Sequence, residues 1–428
     1  MEYKCIILGT FMALLSISCS SDSHPSTENK TKVSDLQKNI TDDALNLGES
    51  LYKSFSTNIT RTNISEDSFP PYFGGSYYKN EHLVVLVKNQ DEDGIKDIYQ
   101  RIGNSKNIEI KGCKYSLQEL RALKDKISDI YINDENLREK LKWHSVGISI
   151  EKNRIVVFLK DISVQNISNF KSLICDSSMV IFEKIQDVED LSYILVDTIS
   201  YSNNVSRAVA TKTNIHLGAE FSTTKGNLTA YGSVGFRAMK GSDNGFVTAA
   251  HVVPTTGLTI NFNSKQCGTS TAVTRGPAAE AAFVKVNYAL YYPTNYTQWG
   301  HSVIPASIIS YNNLVNRNII SEGATTKKQI EATVYTIDNT RVFSKKTVSG
   351  TYSFSLKNVV YAKLAVQSST GRPKEGDSGG IVYDKTTKKV CGELEGLLQD
   401  MDTGTYYMTF SSAEKALSAL GASINWVK

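Results

Sequence analysis

Two short segments, Thr248-Ala249-Ala250-His251 and Gly376-Asp377-Ser378-Gly379-Gly380, constrain this chain more than any other feature. The first follows the apolar run Gly245-Phe246-Val247 and puts a histidine at the end of a predicted strand. The second puts a serine in a tight, glycine-flanked loop. A serine hydroxyl attacks a carbonyl only if a base takes its proton and donors stabilise the oxyanion that forms. Histidine has the unperturbed pKa suited to that base. The glycines allow the backbone N–H groups of Gly376 and Ser378 to turn toward one point, as an oxyanion hole requires. A fold that uses both groups must bring together residues 127 positions apart. The alternative is a glycine-rich hairpin and an unrelated core histidine.

A carboxylate is needed to hold the imidazole tautomer. Asp338, in the turn-like Ile337-Asp338-Asn339, is the one aspartate between His251 and Asp377. Glu280 opens the apolar run Glu280-Ala281-Ala282-Phe283-Val284 and is the candidate for orienting His251. The alternative makes Glu280 a surface residue at a strand start. Two further acids, Glu393 and Glu395, alternate along 390–396 and so share one face of a predicted strand.

In combination and in chain order, the histidine and serine segments resemble those of chymotrypsin-fold serine proteases. Leu217-Gly218-Ala219, Gly232-Ser233-Val234-Gly235-Phe236, Gly323-Ala324-Thr325-Thr326 and Tyr406-Tyr407 resemble segments of the streptogrisin and α-lytic branch. The resemblance covers about residues 212–428. It implies an all-β double β-barrel over 215–428, closed by a C-terminal helix whose amphipathic face carries Ala413, Ala416, Leu417 and Leu420. It also implies an acyl-enzyme on Ser378, with His251 as base and then acid. Glu280 stands where the family's D-A-A-F-V pattern has Asp. Residues 390–396 resemble the substrate-binding strand, so Glu393, Glu395 and Tyr407 become candidates for substrate binding. Glu393 and Glu395 could instead pair with nearby lysines or support His251. Arg372 argues against a preference for basic P1 side chains, which leaves the P1 residue open. No Ile-Val-Gly-Gly start lies near 205–215, so activation by inserting a new N-terminus is unsupported. An inactive protease-fold binding protein and an esterase using the same triad are the rival readings.

Upstream, two stretches read as copies. Lys79-Asn80-Glu81 precedes the β-branched run 82–88, and Glu151-Lys152-Asn153 precedes a second run, 154–160. Each is followed by a polar helix (90–103 and 163–173) and a short strand. Between them, Ser116-Leu117-Gln118-Glu119 is a capping box opening a helix to about residue 142. This α+β arrangement over 35–200 resembles the pro-region of streptogrisin and α-lytic-type proteases. The resemblance implies a segment that templates folding and blocks the cleft; a separate binding or spacer domain is the alternative.

Residues 1–18 read as a signal peptide, because the apolar stretch 5–15 is too short to span a bilayer. Leu15-Ser16-Ile17-Ser18-Cys19 resembles a bacterial lipobox, which implies lipidation of Cys19, a polar tether over 19–34 and location on the cell envelope. Cleavage as an ordinary secretory peptide is the alternative. Residues 201–214 read as an exposed linker open to nicking.

Residues from 205 on carry 23 Lys+Arg against 14 Asp+Glu, whereas residues 1–204 carry 24 against 29. Halves of opposite sign favour docking on each other. No basic patch interleaved with aromatics points to nucleic acid. Nothing suggests a cofactor, and no ligand spacing suggests a metal. The expected partners are a peptide or protein substrate, the docked pro-region and the membrane. Cys113, Cys175, Cys267 and Cys391 allow one disulfide per half or four thiols.

Overall fold

A computed structural model describes residues 43–55, 69–189, 193–196, 212–368 and 370–424. The signal peptide, Cys19, the tether and most of the 201–214 linker lie outside the described residues. Among the described residues, no helix is long and apolar enough to cross a membrane.

Helix α1 (43–55) packs its aromatic face on the first repeat, with Tyr52 and Phe55 against Phe69 and Phe73. That repeat runs β1 (Phe73–Lys79), β2 (His82–Lys88), α2 (Glu92–Ile102) and β3 (Ile108–Cys113). The second runs β4 (Trp143–Ser149), β5 (Arg154–Leu159), α5 (Val164–Leu173) and β6 (Val180–Lys184). In both, the first two strands pair antiparallel and the third pairs parallel to the second. The duplicated hairpin–helix–strand unit is therefore real. The β-branched runs form its central strands because both faces of each are covered.

Helix α3 (Leu117–Asn133) opens on the capping box: Glu119 N–H donates to Ser116 Oγ and Ser116 N–H to Glu119 Oε2. It stops nine residues short of the expected 142. Asp134 ends α3 and caps a separate short helix, α4 (Glu135–Lys140), by accepting from Leu137 N–H.

Next come β7 (Gln186–Glu189), β8 (Tyr193–Val196) and β9 (Thr213–Leu217). The first barrel is built from β10 (Glu220–Lys225), β11 (Leu228–Ser233), β12 (Phe236–Lys240), β13 (Asp243–Ala249), β14 (Thr259–Phe262), β15 (Lys265–Gly276) and β16 (Ala279–Val286). Its sheet runs β12-β13-β16-β15-β14-β10-β11-β8 around a core that includes Phe221, Phe236, Phe246 and Phe283. Strand β17 (Tyr291–Thr297) pairs with β9 and leads to the second barrel.

The second barrel comprises β18 (Asn318–Glu322), β19 (Gln329–Thr347), β20 (Gly350–Leu364), β21 (Ile381–Asp384), β22 (Val390–Asp400) and β23 (Thr405–Ser412). Its order is β18-β21-β22-β23-β20-β19, and β18 also pairs with β19, which closes the ring. Helix α6 (Ala413–Leu420) buries Ala413, Ala416, Leu417 and Leu420 as the apolar stripe requires, and ends on Gly421 in the left-handed region. The architecture is a double β-barrel with a C-terminal helix, preceded by an α+β region.

The two halves are joined edge to edge. Strand β4 pairs with β19, Ile148 opposite Ile337 and Val146 opposite Thr340, so the second repeat extends the barrel sheet. One core cluster takes Val156, Phe158 and Ile185 from upstream and Phe343, Tyr361, Leu398 and Tyr407 from the barrel. The charge complementarity is partial. Asp129–Lys357 and Asp187–Arg341 have the expected sense. The buried pair Arg121–Asp338, at 2.9 Å, has the reverse. All four described cysteines are free thiols. Burial pushes the Cys267 thiol up to about 12 and that of Cys391 well above its ordinary range, so both behave as apolar core residues.

Candidate active site

Strand β13 ends at Ala249 and delivers His251 to the seam between the barrels, where its side chain is fully buried. Strand β16 runs antiparallel to β13, Ala249 opposite Ala281, and so places Glu280 beside His251. The imidazole Nδ1 lies 3.0 and 2.9 Å from the two Glu280 carboxylate oxygens. The His251 backbone N–H also donates to Glu280 Oε1. A carboxylate in this arrangement fixes the tautomer with its proton on Nδ1 and leaves Nε2 as the base. Asp338 is instead committed to Arg121, in the joint with the upstream half.

The loop carrying Ser378 is held by its neighbour. Asp377 accepts from Thr325 N–H at 2.8 Å, Thr326 N–H at 2.9 Å and Lys374 N–H at 2.8 Å, and also from the Thr326 hydroxyl. The Gly-Ala-Thr-Thr segment thus satisfies the aspartate without a new chain terminus. Gly376 (φ +93°) and Gly379 (φ +80°) take conformations that side chains resist. A Cβ on Gly379 would lie 2.0 Å from Thr248 Oγ1 and 2.8 Å from Ser233 O, so the loop cannot sit against β13 without glycine there. Among the described residues, the N–H groups of Gly376 and Ser378 meet no backbone acceptor, as an oxyanion hole needs. Ser378 Oγ and His251 Nε2 are both buried without a hydrogen-bond partner, so the bond between nucleophile and base is not made in this state.

Glu393 and Glu395 are both buried on β22. A bulge between Leu394 and Gly396 against β23 makes Glu395 the extra residue. Glu280 N–H donates to Ser411 Oγ at 3.0 Å, and the Ser411 hydroxyl donates to Glu395 Oε1. Burial, then the charges of Glu395 and Glu280, raise the Glu393 carboxyl well above the usual carboxylate range. Burial, then Glu280, push Glu395 up to about 8. A carboxyl raised on folding stabilises the fold fully below its unfolded pKa. That contribution is lost as pH rises from about 4.3 toward the folded value. Glu395→Gln is therefore expected to raise the melting temperature at pH 8 and leave it unchanged at pH 4, as differential scanning fluorimetry across that range would read.

Tyr407 packs on Tyr335, with ring centroids 5.8 Å apart, in the cluster that contains Ile185 of the upstream half. Arg372 donates to the Tyr406 hydroxyl at 2.9 Å. The polar run at 186–189 carried no signal as a site element. Yet β7 pairs antiparallel with β22, Asp187 opposite Leu398 and Glu189 opposite Leu397, adding a strand from the upstream half to the second barrel. The Asp187 carboxylate accepts from Arg341 and lies 3.6 Å from His144 Nε2. Beginning four residues after Glu189, β8 pairs antiparallel with β11, Tyr193 opposite Tyr231, on the other barrel. The described strands before and after residues 190–192 thus pair with different barrels.

Two family models match the chain: a Pro-like N-terminal domain over residues 32–113 and a Pro-like C-terminal domain over 118–185. Each covers one of the two repeats. No curated protein matches. Among solved structures, Thermobifida fusca Protease A is 18% identical, covering 49% of this chain and 98% of its own, with a TM-score of 0.36. Cellulomonas bogoriensis chymotrypsin is 17% identical, covering 50% and 100%, with a TM-score of 0.36. A glutamic acid-specific serine protease is 20% identical, covering 49% and 100%, with a TM-score of 0.37. The strand orders define a double β-barrel with His251 and Glu280 in contact. It is preceded by two Pro-like domains.

Proposed function

We propose that this chain is a secreted serine endopeptidase made in a self-inhibited form. Ser378 is the acylated nucleophile, His251 the base and then the acid, and Glu280 the orienting carboxylate; the N–H groups of Gly376 and Ser378 receive the oxyanion. The observation that carries this reading is the two-oxygen contact of Glu280 with His251 Nδ1, buried between two barrels and facing the glycine loop of Ser378. Inhibition by the Pro-like region is supported by β7 on β22 and by the burial of both reacting side chains. Peptide bonds are the favoured substrate because β22 already accepts an extended strand of this chain through main-chain pairing.

With β7 on one barrel and β8 on the other, the bond the enzyme cuts in its own chain lies between Glu189 and Tyr193, upstream of the 201–214 linker. Intact mass and N-terminal sequencing of protein purified from the medium and from cells test this. Wild type is expected to yield a fragment starting within 190–193, and Ser378→Ala only uncut chain. A fragment starting within 190–193 from Ser378→Ala would contradict self-cleavage. The lipobox-like 15–19 supports an anchor at Cys19, so Cys19→Ser is expected to move the uncut chain from the membrane fraction to the soluble one.

The absence of a bond between Ser378 and His251 in this state favours one rival, an inactive protease-fold binding protein on the envelope. That reading predicts that Ser378→Ala and Glu280→Ala both leave the protein's biological effect intact.

A further inference from the structure

A cavity of about 550 Å³ lies between the turn that follows His251 and the β19–β20 hairpin. Pro254 and Thr255, shortly after His251 in the chain, form one wall. Arg275 of β15, opposite Glu280 in the β15–β16 register, forms the second. Tyr352 and Phe354 of β20 form the third. The hairpin belongs to the second barrel, yet Val348 at its tip is buried in the core of the first. Lys225 donates to Ser349 Oγ at 3.1 Å, and the Lys357 N–H to the Pro277 carbonyl at 2.8 Å. Both barrels therefore build the cavity, and the hairpin wall is pinned along its length.

Arg275 is the one charged residue among those described that line this cavity. Its guanidinium carbon lies over the Tyr352 ring, 3.9 Å from the centroid. Tyr352 is fixed in turn, because its hydroxyl donates to the Ser349 carbonyl at 3.1 Å. Phe354 stacks on Phe343, with centroids 5.5 Å apart. Among the described residues, no carboxylate pairs with Arg275, and its Nη1 is buried without a hydrogen-bond partner. A buried donor left unmade is costly, and its bond to a charged acceptor is one of the stronger kinds. A guanidinium held on a ring, unpaired, in a cavity with no acid of its own suits a carboxylate from outside.

We propose that Arg275 is a specificity-determining residue, which takes the side-chain carboxylate of an Asp or Glu in the residues preceding the cleaved bond. The inference rests on the serine endopeptidase reading above and names its substrate class: peptides that are acidic on the N-terminal side of the bond cut.

The side follows from what the cavity walls touch. Phe354 packs on the cluster that holds Ile185, and Arg341 of the same hairpin pairs with Asp187. Both Ile185 and Asp187 precede the segment proposed above for self-cleavage. The chain's own approach to that segment, Asp187-Val188-Glu189-Asp190, is acidic. The surplus of cations from residue 205 on, 23 Lys+Arg against 14 Asp+Glu, draws such peptides toward the enzyme.

The test uses full-length protein after self-processing and two peptides. One has the sequence of residues 184–196; the other carries Asp187→Asn, Glu189→Gln and Asp190→Asn. The readout is the ratio of kcat/KM for the acidic peptide to that for the amide peptide. It is measured for wild type, Arg275→Gln, Arg275→Lys and Lys346→Gln. Wild type is expected to prefer the acidic peptide by about tenfold or more, as one charged hydrogen-bonded pair supplies. Arg275→Gln is expected to lower the ratio about tenfold. Arg275→Lys keeps the charge without the planar fork and is expected to fall between the two. Lys346 is an exposed cation of the same hairpin outside the cavity, so Lys346→Gln is expected to keep the wild-type ratio. Melting curves show that each variant is folded. An Arg275→Gln ratio equal to that of wild type, or a wild type indifferent to the acids, would overturn the assignment. So would fluorophosphonate labelling of Ser378 in a wild type that cleaves neither peptide. Failure of wild type to label would instead overturn the endopeptidase reading, and this inference with it.

Discussion

Glu280→Gln is expected to lower turnover by about four orders of magnitude while leaving the fold intact. The amide keeps the size of the side chain and can still occupy the space beside His251. It can also present an N–H to Nδ1, which favours the wrong tautomer and takes the lone pair away from the side facing Ser378. The carboxylate's second task, stabilising the imidazolium that forms as Ser378 is acylated, is lost with its charge. Because Glu280 also accepts from the His251 backbone N–H, Glu280→Ala removes an anchor of the loop as well as a charge. Glu280→Asp keeps the charge but falls short by a methylene in a backbone spaced for glutamate. It is expected to lie between wild type and Glu280→Gln, since misplacement of about 1 Å costs on the order of a hundredfold. Labelling rates for the three variants, with melting curves as control, order these effects. Near-wild-type labelling of Glu280→Gln would remove Glu280 from the triad.

A chain starting at residue 190, refolded from urea without residues 43–189, is expected not to regain the native fold, and to recover when 43–189 is added in trans. The reason lies in the joint. Without the upstream half, Phe343, Tyr361, Leu398 and Tyr407 lose Val156, Phe158 and Ile185 from their shared cluster. The edge of β19 loses β4, and Asp338 loses Arg121. A bare, long strand edge beside an apolar face pairs with other chains and aggregates. Near-UV circular dichroism and light scattering on the two refolding mixtures measure the outcome. A cooperative native transition in the 190–428 chain alone would contradict a templating role.

Much of this was legible in the residues. The β-branched runs at 82–88 and 154–160 mark buried strands whatever surrounds them. The capping box marks the start of α3, and His251, Glu280 and Ser378 stand in segments whose chemistry requires proximity. What escaped the sequence depends on contacts between distant edges. The pairing of β4 with β19 uses backbone groups that any residues possess, so it leaves no pattern. Strand β7, Gln186-Asp187-Val188-Glu189, is too short and polar to announce itself. The bulge at Glu395 is a register shift, invisible to an alternation rule that holds only for regular strands. The cysteines were ambiguous because burial, which the sequence does not display, separates an inert thiol from a bridging one.

The central claim is that Ser378 is a working nucleophile driven by His251 and Glu280. Fluorophosphonate labelling of purified protein, uncut and after self-processing, beside Ser378→Ala, measures it most directly. The expected result is labelling that requires Ser378 and rises sharply once β7 can leave β22. No labelling in either form, from a protein with a cooperative melting transition, would contradict it and leave an inactive binding protein in its place.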